Sequence, residues 1–180
     1  AASFKDESLR VLAGSVEQIP TEIERGSCDG LLMDHVLEHI VDPVATMTEA
    51  GKLLRSGGIM LIVVPNNACL AAQRAGLAWT HLDVPRHVNF FSASTLRYAA
   101  ERAGFIPERN FFNGYYRMFV DSLIATEQRI YDQLVAHLGA APAATRRNSR
   151  MQSWRLLART AAFCKPELKY DEVGIVVRKP

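Results

Sequence analysis

A chain of 180 residues with 48% hydrophobic and 22% charged residues has the composition of one folded globular domain, which excludes a disordered chain and a collagen-like fibre. Its 21 Lys and Arg nearly balance its 19 Asp and Glu, so the net charge of +2 gives no bulk signal for nucleic-acid binding. Cys28, Cys69 and Cys164 are far apart and form no C-x-x-C pair, which argues against a disulfide framework and favours a reducing cytoplasm. No apolar run approaches the ~18 residues of a membrane-spanning helix.

The first predicted elements include a βαβ unit. Residues 10–16 are a weak strand candidate. Residues 31–33 and 59–64 are short apolar runs bounded by turn residues, which is typical of strands buried on both faces of a parallel sheet. Between them a helix cap at Asp42, followed directly by proline, predicts a helix whose apolar face continues to Leu54.

A second group of elements follows the βαβ unit. The pattern predicts a helix over 94–103 and strands over 106–112 and 173–178. Between those two strands, apolar residues at helical spacing predict one long amphipathic helix over 116–138. We interpret residues 115–170 as a helical insertion or cap within a single domain that spans the chain.

The polar stretch D-H-V-L-E-H, residues 34–39, follows the first buried strand. In open α/β sheets ligands bind at the carboxyl ends of the strands, so this stretch marks a candidate ligand edge; polar residues that only meet water are the alternative. The same letters contain H-x-x-E-H, the inverted zincin motif, in which His35 and His39 would bind zinc with Glu38 as the base. Only about two helical turns fit before the next helix begins, so a zinc hydrolase is the weaker interpretation and no metal is expected.

Several motifs then follow one another along the chain in a fixed order. They are C-D-G-L-L-M-D-H-V-L-E-H-I-V-D-P at 28–43, K-L-L-R-S-G-G at 52–58, I-V-V-P-N at 62–66, H-L-D-V-P-R-H-V-N-F-F-S at 81–92, T-L at 95–96 and A-G-F at 103–105. Together they resemble the class I S-adenosylmethionine-dependent methyltransferases, most closely the branch related to ubiquinone-biosynthesis O-methyltransferases. Cys28 stands where that branch has an aromatic residue and Ser56 where it has proline, and both departures are mild.

The resemblance implies a Rossmann-like, doubly wound α/β sheet and a protein that transfers a methyl group from S-adenosylmethionine. It implies that Ser15 and Val16, after the weak first strand, meet the adenine of the cofactor. It also implies that Asp34 and His35, at the end of the next strand, line the methionine and sulfonium end.

The resemblance further implies a methyl-acceptor pocket that Pro65 and Asn66 border and that a loop with Trp79, His81 and His87 helps to close. A hydroxyl acceptor needs a base, and histidine is suited to that role near neutral pH. His81 and His87 are therefore the candidate catalytic residues, and a small molecule methylated on oxygen is the expected acceptor. Simple anchoring of the loop by these histidines is the alternative.

The glycine-rich cofactor loop of the family has no counterpart here, because Gly14 stands alone and no G-x-G-x-G is present. With the family's strand order 3-2-1-4-5-7-6, the chain would begin near strand three and leave an exposed edge beside strand four. The sequence is therefore expected to be truncated at its amino end, the C-terminal portion of a longer cytoplasmic enzyme. A non-catalytic binding domain that keeps the sheet but lacks the loop is the alternative.

Five arginines between residues 146 and 159 surround Trp154 within the predicted insertion. A solvated basic face on a helical cap is the favoured interpretation, and peripheral contact of residues 146–163 with an anionic membrane is the alternative. Nucleic acid is not expected as a partner, since the basic residues cluster only here and lack interleaved aromatic residues.

Overall fold

The computed structural model of the chain describes residues 12–15, 22–114 and 163–180, together with a few isolated positions between 125 and 158. Within this part of the chain, four strands form one mixed sheet in the order β1-β2-β4-β3. They are β1 (Cys28–Asp34), β2 (Leu54–Pro65), β3 (Ile106–Asn113) and β4 (Glu172–Arg178). Four of the five predicted strands are thereby confirmed.

The central strand β2 joins a parallel and an antiparallel neighbour. It pairs in parallel with β1, where Leu31 lies opposite Met60, and antiparallel with β4, where Ile62 lies opposite Ile175. Strand β4 pairs antiparallel with β3. This order reproduces the last four positions of the expected order 3-2-1-4-5-7-6. It leaves β1 at one edge of the described sheet, where Leu32 is 63% exposed.

Helix α1 (Pro43–Gly51) begins where the sequence predicts and ends earlier. Asp42 Oδ1 accepts a hydrogen bond from the Ala45 backbone N–H at 2.9 Å, and proline occupies the first turn. The predicted extension to Leu54 is wrong. The helix ends at Gly51 because Leu54 begins β2, where it lies opposite Cys28 of β1.

Helix α3 (Ala93–Arg102) is confirmed to within one residue of its prediction. It begins with a capping box, in which Ser92 Oγ accepts from the Thr95 backbone N–H and Thr95 Oγ1 accepts from the Ser92 N–H. A short helix, α2 (Leu70–Ala75), precedes the loop to α3. Another short helix, α4 (Pro166–Lys169), precedes the start of β4.

The hydrophobic core lies between one face of the sheet and the helices α1 and α3. Alternate residues of the strands point into it, so that the cross-strand neighbours Met60 and Val177 are both fully buried. On the opposite face the Phe111 ring lies over Gly174, where an added Cβ would come within 2.1 Å of the ring. Only glycine fits at this position, where β4 pairs with β3.

Two further sequence predictions concern other parts of the chain. The strand predicted over 10–16 is not formed at the described residues 12–15, where Gly14 and Ser15 have low strand propensity. The helix predicted over 116–138 and most of the proposed insertion lie outside the described residues. No helix in the part of the chain that the structure describes is long and apolar enough to cross a membrane.

Candidate active site

Polar residues from three strands lie together where β1 and β2 end, which we call the carboxyl edge of the sheet. Asp34 is the last residue of β1 and His35 follows it, and Asn66 follows β2. Because β4 runs antiparallel to β2, its amino end reaches the same edge with Asp171 and Glu172. The carboxyl ends of parallel strands are where open α/β sheets bind ligands, so this edge is the candidate site.

His35 lies between two buried carboxylates. Its backbone has φ +53°, which turns the chain sharply away from β1. Its Nδ1 is 3.1 Å from Glu38 Oε1 and its Nε2 is 3.2 Å from Glu172 Oε1. The hydrogen bonds to Glu172 and then Glu38 raise the pKa of His35 to about 10, against the opposing effect of burial. His35 is therefore an imidazolium at neutral pH, and both of its N–H groups donate to carboxylates.

Glu38 reaches this position because a single 3-10 turn, Leu37–His39, follows His35. Its backbone carbonyl accepts hydrogen bonds from the N–H groups of Val88 and Asn89 at 2.8 and 3.1 Å, which joins the turn to the loop between α2 and α3. Its Oε1 meets His35, whereas its Oε2 is buried and has no hydrogen-bond partner among the described residues. A buried carboxylate oxygen without a donor is costly, so Oε2 is a candidate contact for a bound group.

The loop between α2 and α3 brings His81 to the same edge, within the 3-10 turn Thr80–Leu82. The His81 ring stacks on His35 with centroids 6.1 Å apart and meets Trp79 edge to face at 5.4 Å. Its Nε2 lies 3.8 Å from Asp171 Oδ2. The His81 side chain is 18% exposed and that of Asp171 only 6%, so a partly accessible imidazole sits beside a buried carboxylate.

His87 belongs to a different group of side chains. Its ring packs edge to face on His39 with centroids 4.6 Å apart. Its Nδ1 donates to the His81 carbonyl at 2.6 Å, and its Nε2 is 4.0 Å from Asp83 Oδ2. The Nδ1 of His39 donates in the same way to the Arg86 carbonyl at 3.0 Å. His39 and His87 therefore form a second cluster beside the turn, while His81 alone joins His35.

Asn66 supports the edge from inside instead of facing a ligand. Its side-chain amide donates to the carbonyls of Glu167 and Tyr170 at 2.7 and 2.8 Å, and its backbone N–H donates to the Asp171 carbonyl at 2.8 Å. The residue is fully buried. Gly114, at φ +84°, leaves the space that the Asp171 carboxylate fills. These contacts fix the start of β4 and thereby hold Asp171 near His81.

The structure brings together only some of the residues that the sequence singled out. His35 stacks on His81 at the edge, and Asp34, with 61% of its side chain exposed, lies 3.9 Å from His35 Nε2. Ser15 is exposed in the described segment 12–15, and Val16 lies outside the described residues.

The inverted zincin interpretation of H-x-x-E-H is not favoured by the structure. Both nitrogens of His35 are occupied by carboxylates, and the left-handed residue followed by a 3-10 turn does not place His35 and His39 one α-helical turn apart. The zinc ligands of that motif need an α-helix to face one point.

Residues 3–108, more than half of the chain, match the family described as "Methyltransferase domain". The chain belongs to this methyltransferase family. The match confirms that the domain is of the predicted methyltransferase class. The comparison with curated proteins gives no match.

Solved structures of low sequence identity share the fold. A chain of the complex between the Haloferax volcanii Trm112 methyltransferase activator and a methyltransferase has a TM-score of 0.60 at 15% identity, over 98% of this chain and 64% of that one. An S-adenosylmethionine-dependent methyltransferase from Thermotoga maritima has a TM-score of 0.55 at 16% identity, over 96% of this chain and 65% of that one. The [4+2]-cyclase SpnF has a TM-score of 0.53 at 13% identity, over 94% of this chain and 55% of that one.

These structures confirm the predicted Rossmann-like α/β fold. The chain spans 55% to 65% of the length of these three proteins. Because one of them is named for a cyclisation, the fold alone does not determine the reaction, and the chemistry must be argued from the site.

The edge residues of this methyltransferase domain fit a positively charged group such as the sulfonium of S-adenosylmethionine, which the sequence resemblance implies. Three carboxylates face the imidazolium of His35 there, those of Asp34, Glu38 and Glu172, and the carboxylate of Asp171 lies beside His81. Asp171 Oδ1 is buried with no hydrogen-bond partner in the described part of the chain. An anionic edge with an unsatisfied oxygen atom suits a cationic ligand.

Sequence analysis missed Asp171 and Glu172, which supply two of these carboxylates. A usable signal was present in the strand order. A last strand that runs antiparallel beside the second parallel strand must begin at the carboxyl edge, so acidic residues just before it lie at the ligand site. Glu38 was predicted to lie at the candidate ligand edge, but a role of its own was predicted only as the base of a zinc motif.

Proposed function

We propose that the protein to which this chain belongs transfers a methyl group from S-adenosylmethionine to an oxygen atom of a small molecule, with His81 as the base. One observation supports this above others: His81 Nε2 lies 3.8 Å from the buried Asp171 carboxylate at the anionic edge of the sheet. A partly exposed imidazole beside a buried carboxylate is suited to removing a hydroxyl proton.

The chain's own residues would orient the acceptor and move one proton. S-adenosylmethionine, when bound, supplies a methyl group on a sulfonium, so alignment of the acceptor oxygen contributes much of the rate. With Nε2 of His81 directed to Asp171, Nδ1 is the atom that accepts the hydroxyl proton. The buried Asp171 carboxylate then stabilises the imidazolium, and Trp79, which is 3% exposed, fixes the ring from its edge.

The second predicted base, His87, fits a positioning role better. It is 8% exposed, and its Nδ1 donates to the His81 carbonyl. We propose that His87 holds the backbone of His81 in place and does not itself contact the acceptor.

The same geometry supports two of the four predicted cofactor residues. We propose that the exposed carboxylate of Asp34 lies nearest the sulfonium, and that His35 acts by holding Glu38 and Glu172 at fixed positions. Ser15 and Val16 keep their proposed place beside the adenine, on the strength of the sequence resemblance alone.

The catalytic proposal is tested by methyl transfer from S-adenosylmethionine with a tritiated methyl group to a panel of phenols and primary amines. We expect transfer to phenols, and a fall in kcat of about 100-fold or more in His81→Gln, the usual worth of a general base. The affinity for S-adenosylhomocysteine should stay unchanged. His137→Gln, at an exposed described position, is the matched control. Transfer to amines only would refute the oxygen acceptor, and an unchanged kcat would refute the base.

We further propose that the protein belongs to the branch related to ubiquinone-biosynthesis O-methyltransferases, and that a glycine-rich cofactor loop lies upstream of this chain. The order of the motifs over residues 28–105 supports the branch. Calorimetric titration of S-adenosylhomocysteine into this chain and into a version extended upstream tests the loop. Binding by the extended version alone supports it, whereas heat from neither would favour a non-catalytic binding domain.

A cytoplasmic location is part of the proposal. Cys28, Cys69 and Cys164 are all free thiols, as a reducing compartment would keep them. Contact of residues 146–163 with a membrane stays a sequence-based hypothesis, since these positions lie almost entirely outside the described residues.

A further inference from the structure

A second cluster of side chains, apart from the proposed base, has the composition of a metal site. Glu38, His39 and His87 each offer one ligand atom, and these three atoms lie within 4.8 Å of one another. We propose that this cluster binds a divalent transition-metal ion of the zinc type, through the Glu38 carboxylate and the Nε2 atoms of His39 and His87.

The hydrogen bonds of the two histidines leave their Nε2 atoms available. A carbonyl oxygen can only accept, so Nδ1 of His39 must donate to the Arg86 carbonyl and Nδ1 of His87 to the His81 carbonyl. In the neutral tautomer this sets, each Nε2 carries a lone pair. Metal-binding histidines are typically oriented in this way, by a backbone carbonyl on the nitrogen that does not bind the metal.

Glu38 contributes an acceptor to the same point. Its side chain is 1% exposed, and its Oε1 is 4.0 Å from His39 Nε2. His35 donates to Oε1, but no donor among the described residues reaches Oε2. A bound cation would take both Nε2 lone pairs of the neutral histidines and satisfy the buried carboxylate.

The ligand set and its spacing favour zinc over magnesium or calcium. Imidazole nitrogens suit zinc and its neighbours, whereas magnesium and calcium take oxygen ligands. Zinc bonds of about 2.0–2.2 Å place tetrahedral ligand atoms roughly 3.3 Å apart, so the present atoms need to close by at most about 1.5 Å. His39 is 39% exposed and has room for that adjustment.

The ion would join two parts of the chain that form the proposed methyl-transfer site. Glu38 and His39 come from the turn after β1, and His87 comes from the loop between α2 and α3 that also carries His81. Because His87 holds the His81 carbonyl, metal binding at His87 would fix the backbone of His81. This site differs from the H-x-x-E-H interpretation, since His35 takes no part in it.

Zinc binding to the 180-residue chain tests the proposal without an activity assay. The chain is stripped of metal with a chelator and titrated with zinc chloride in competition with a chromophoric chelator, and thermal unfolding is followed with and without zinc. We expect one zinc ion per chain and a higher Tm with zinc, since a ligand of the folded state stabilises it. His39→Ala, at a partly exposed position, should lower the zinc affinity at least about tenfold and abolish the Tm shift.

His137→Ala is the matched control and should bind zinc as the unmodified chain does. Circular dichroism without zinc checks that both variants fold. The proposal is overturned if the unmodified chain binds no zinc, or if His39→Ala binds it with unchanged affinity. It is equally overturned if His137→Ala loses zinc as completely as His39→Ala.

Discussion

Two neighbouring histidine groups in this domain differ in what their ring nitrogens meet. His35 has a carboxylate on each nitrogen, and these raise its pKa to about 10, so it serves as a fixed cation between Glu38 and Glu172. His39 and His87 each have a backbone carbonyl on Nδ1, which leaves Nε2 as an acceptor. The hydrogen-bond partners of the ring nitrogens, not the residue type, therefore decide whether a histidine supports the structure or can bind a ligand.

Removal of the cation at His35 should have the largest effect on stability. In His35→Ala two buried carboxylates lose the group that they share, which costs 3–5 kcal/mol in a fully buried pair. Since His35 is one-third exposed, we expect the free energy of unfolding to fall by about 2 kcal/mol. Urea unfolding in the presence of a metal chelator measures it. A change below about 0.5 kcal/mol, the size typical of surface substitutions, would contradict the description of His35 as a structural cation.

Neutralisation of one carboxylate should have a smaller effect. In Glu172→Gln the side-chain carbonyl can still accept from His35 Nε2, but the charge assistance of that hydrogen bond is lost. We expect a loss of about 1 kcal/mol in the same urea experiment. A loss as large as that of His35→Ala would mean that Glu172 stabilises the fold mainly through other contacts.

The smallest effect is expected at the other histidine group. Without metal, His39→Ala removes a partly exposed ring whose Nδ1 makes one hydrogen bond, so the free energy of unfolding should change by at most about 1 kcal/mol. The effect should grow when zinc is present. If His39→Ala destabilises the metal-free chain as much as His35→Ala does, His39 is as important for the stability of the fold as His35, and the proposed difference between the two groups is wrong.

Most of the fold could be predicted from the sequence because most of its strands contain an apolar run bounded by turn residues. The prediction failed where local pattern and tertiary pairing disagree. The apolar face of α1 continues through Leu53 and Leu54, and nothing local shows that these residues leave the helix to begin β2 beside β1. At residues 10–16 the local pattern favoured a strand, but the described residues 12–15 lie in no strand.

The site was predictable only in part. The residues after β1 could be placed from the strand that they follow, and His81 from its motif. It could not be predicted that His81 and His87 join different clusters. Both belong to one motif, and they differ only in the partner that each ring nitrogen meets. The pairing of His35 with Glu172 joins residues 137 positions apart, and no local pattern contains it.

The proposal that the exposed Asp34 carboxylate at the end of β1 faces a sulfonium is tested by comparing a charged with an uncharged ligand. Calorimetry on the form of the protein that binds the cofactor gives the affinities for S-adenosylmethionine, which carries the positive sulfur, and for S-adenosylhomocysteine, which does not. We expect Asp34→Asn to weaken the first about tenfold and the second much less. Asp29→Asn, at the exposed opposite end of the same strand, should change neither. Equal effects of Asp34→Asn on both ligands, or no effect on either, would contradict the account.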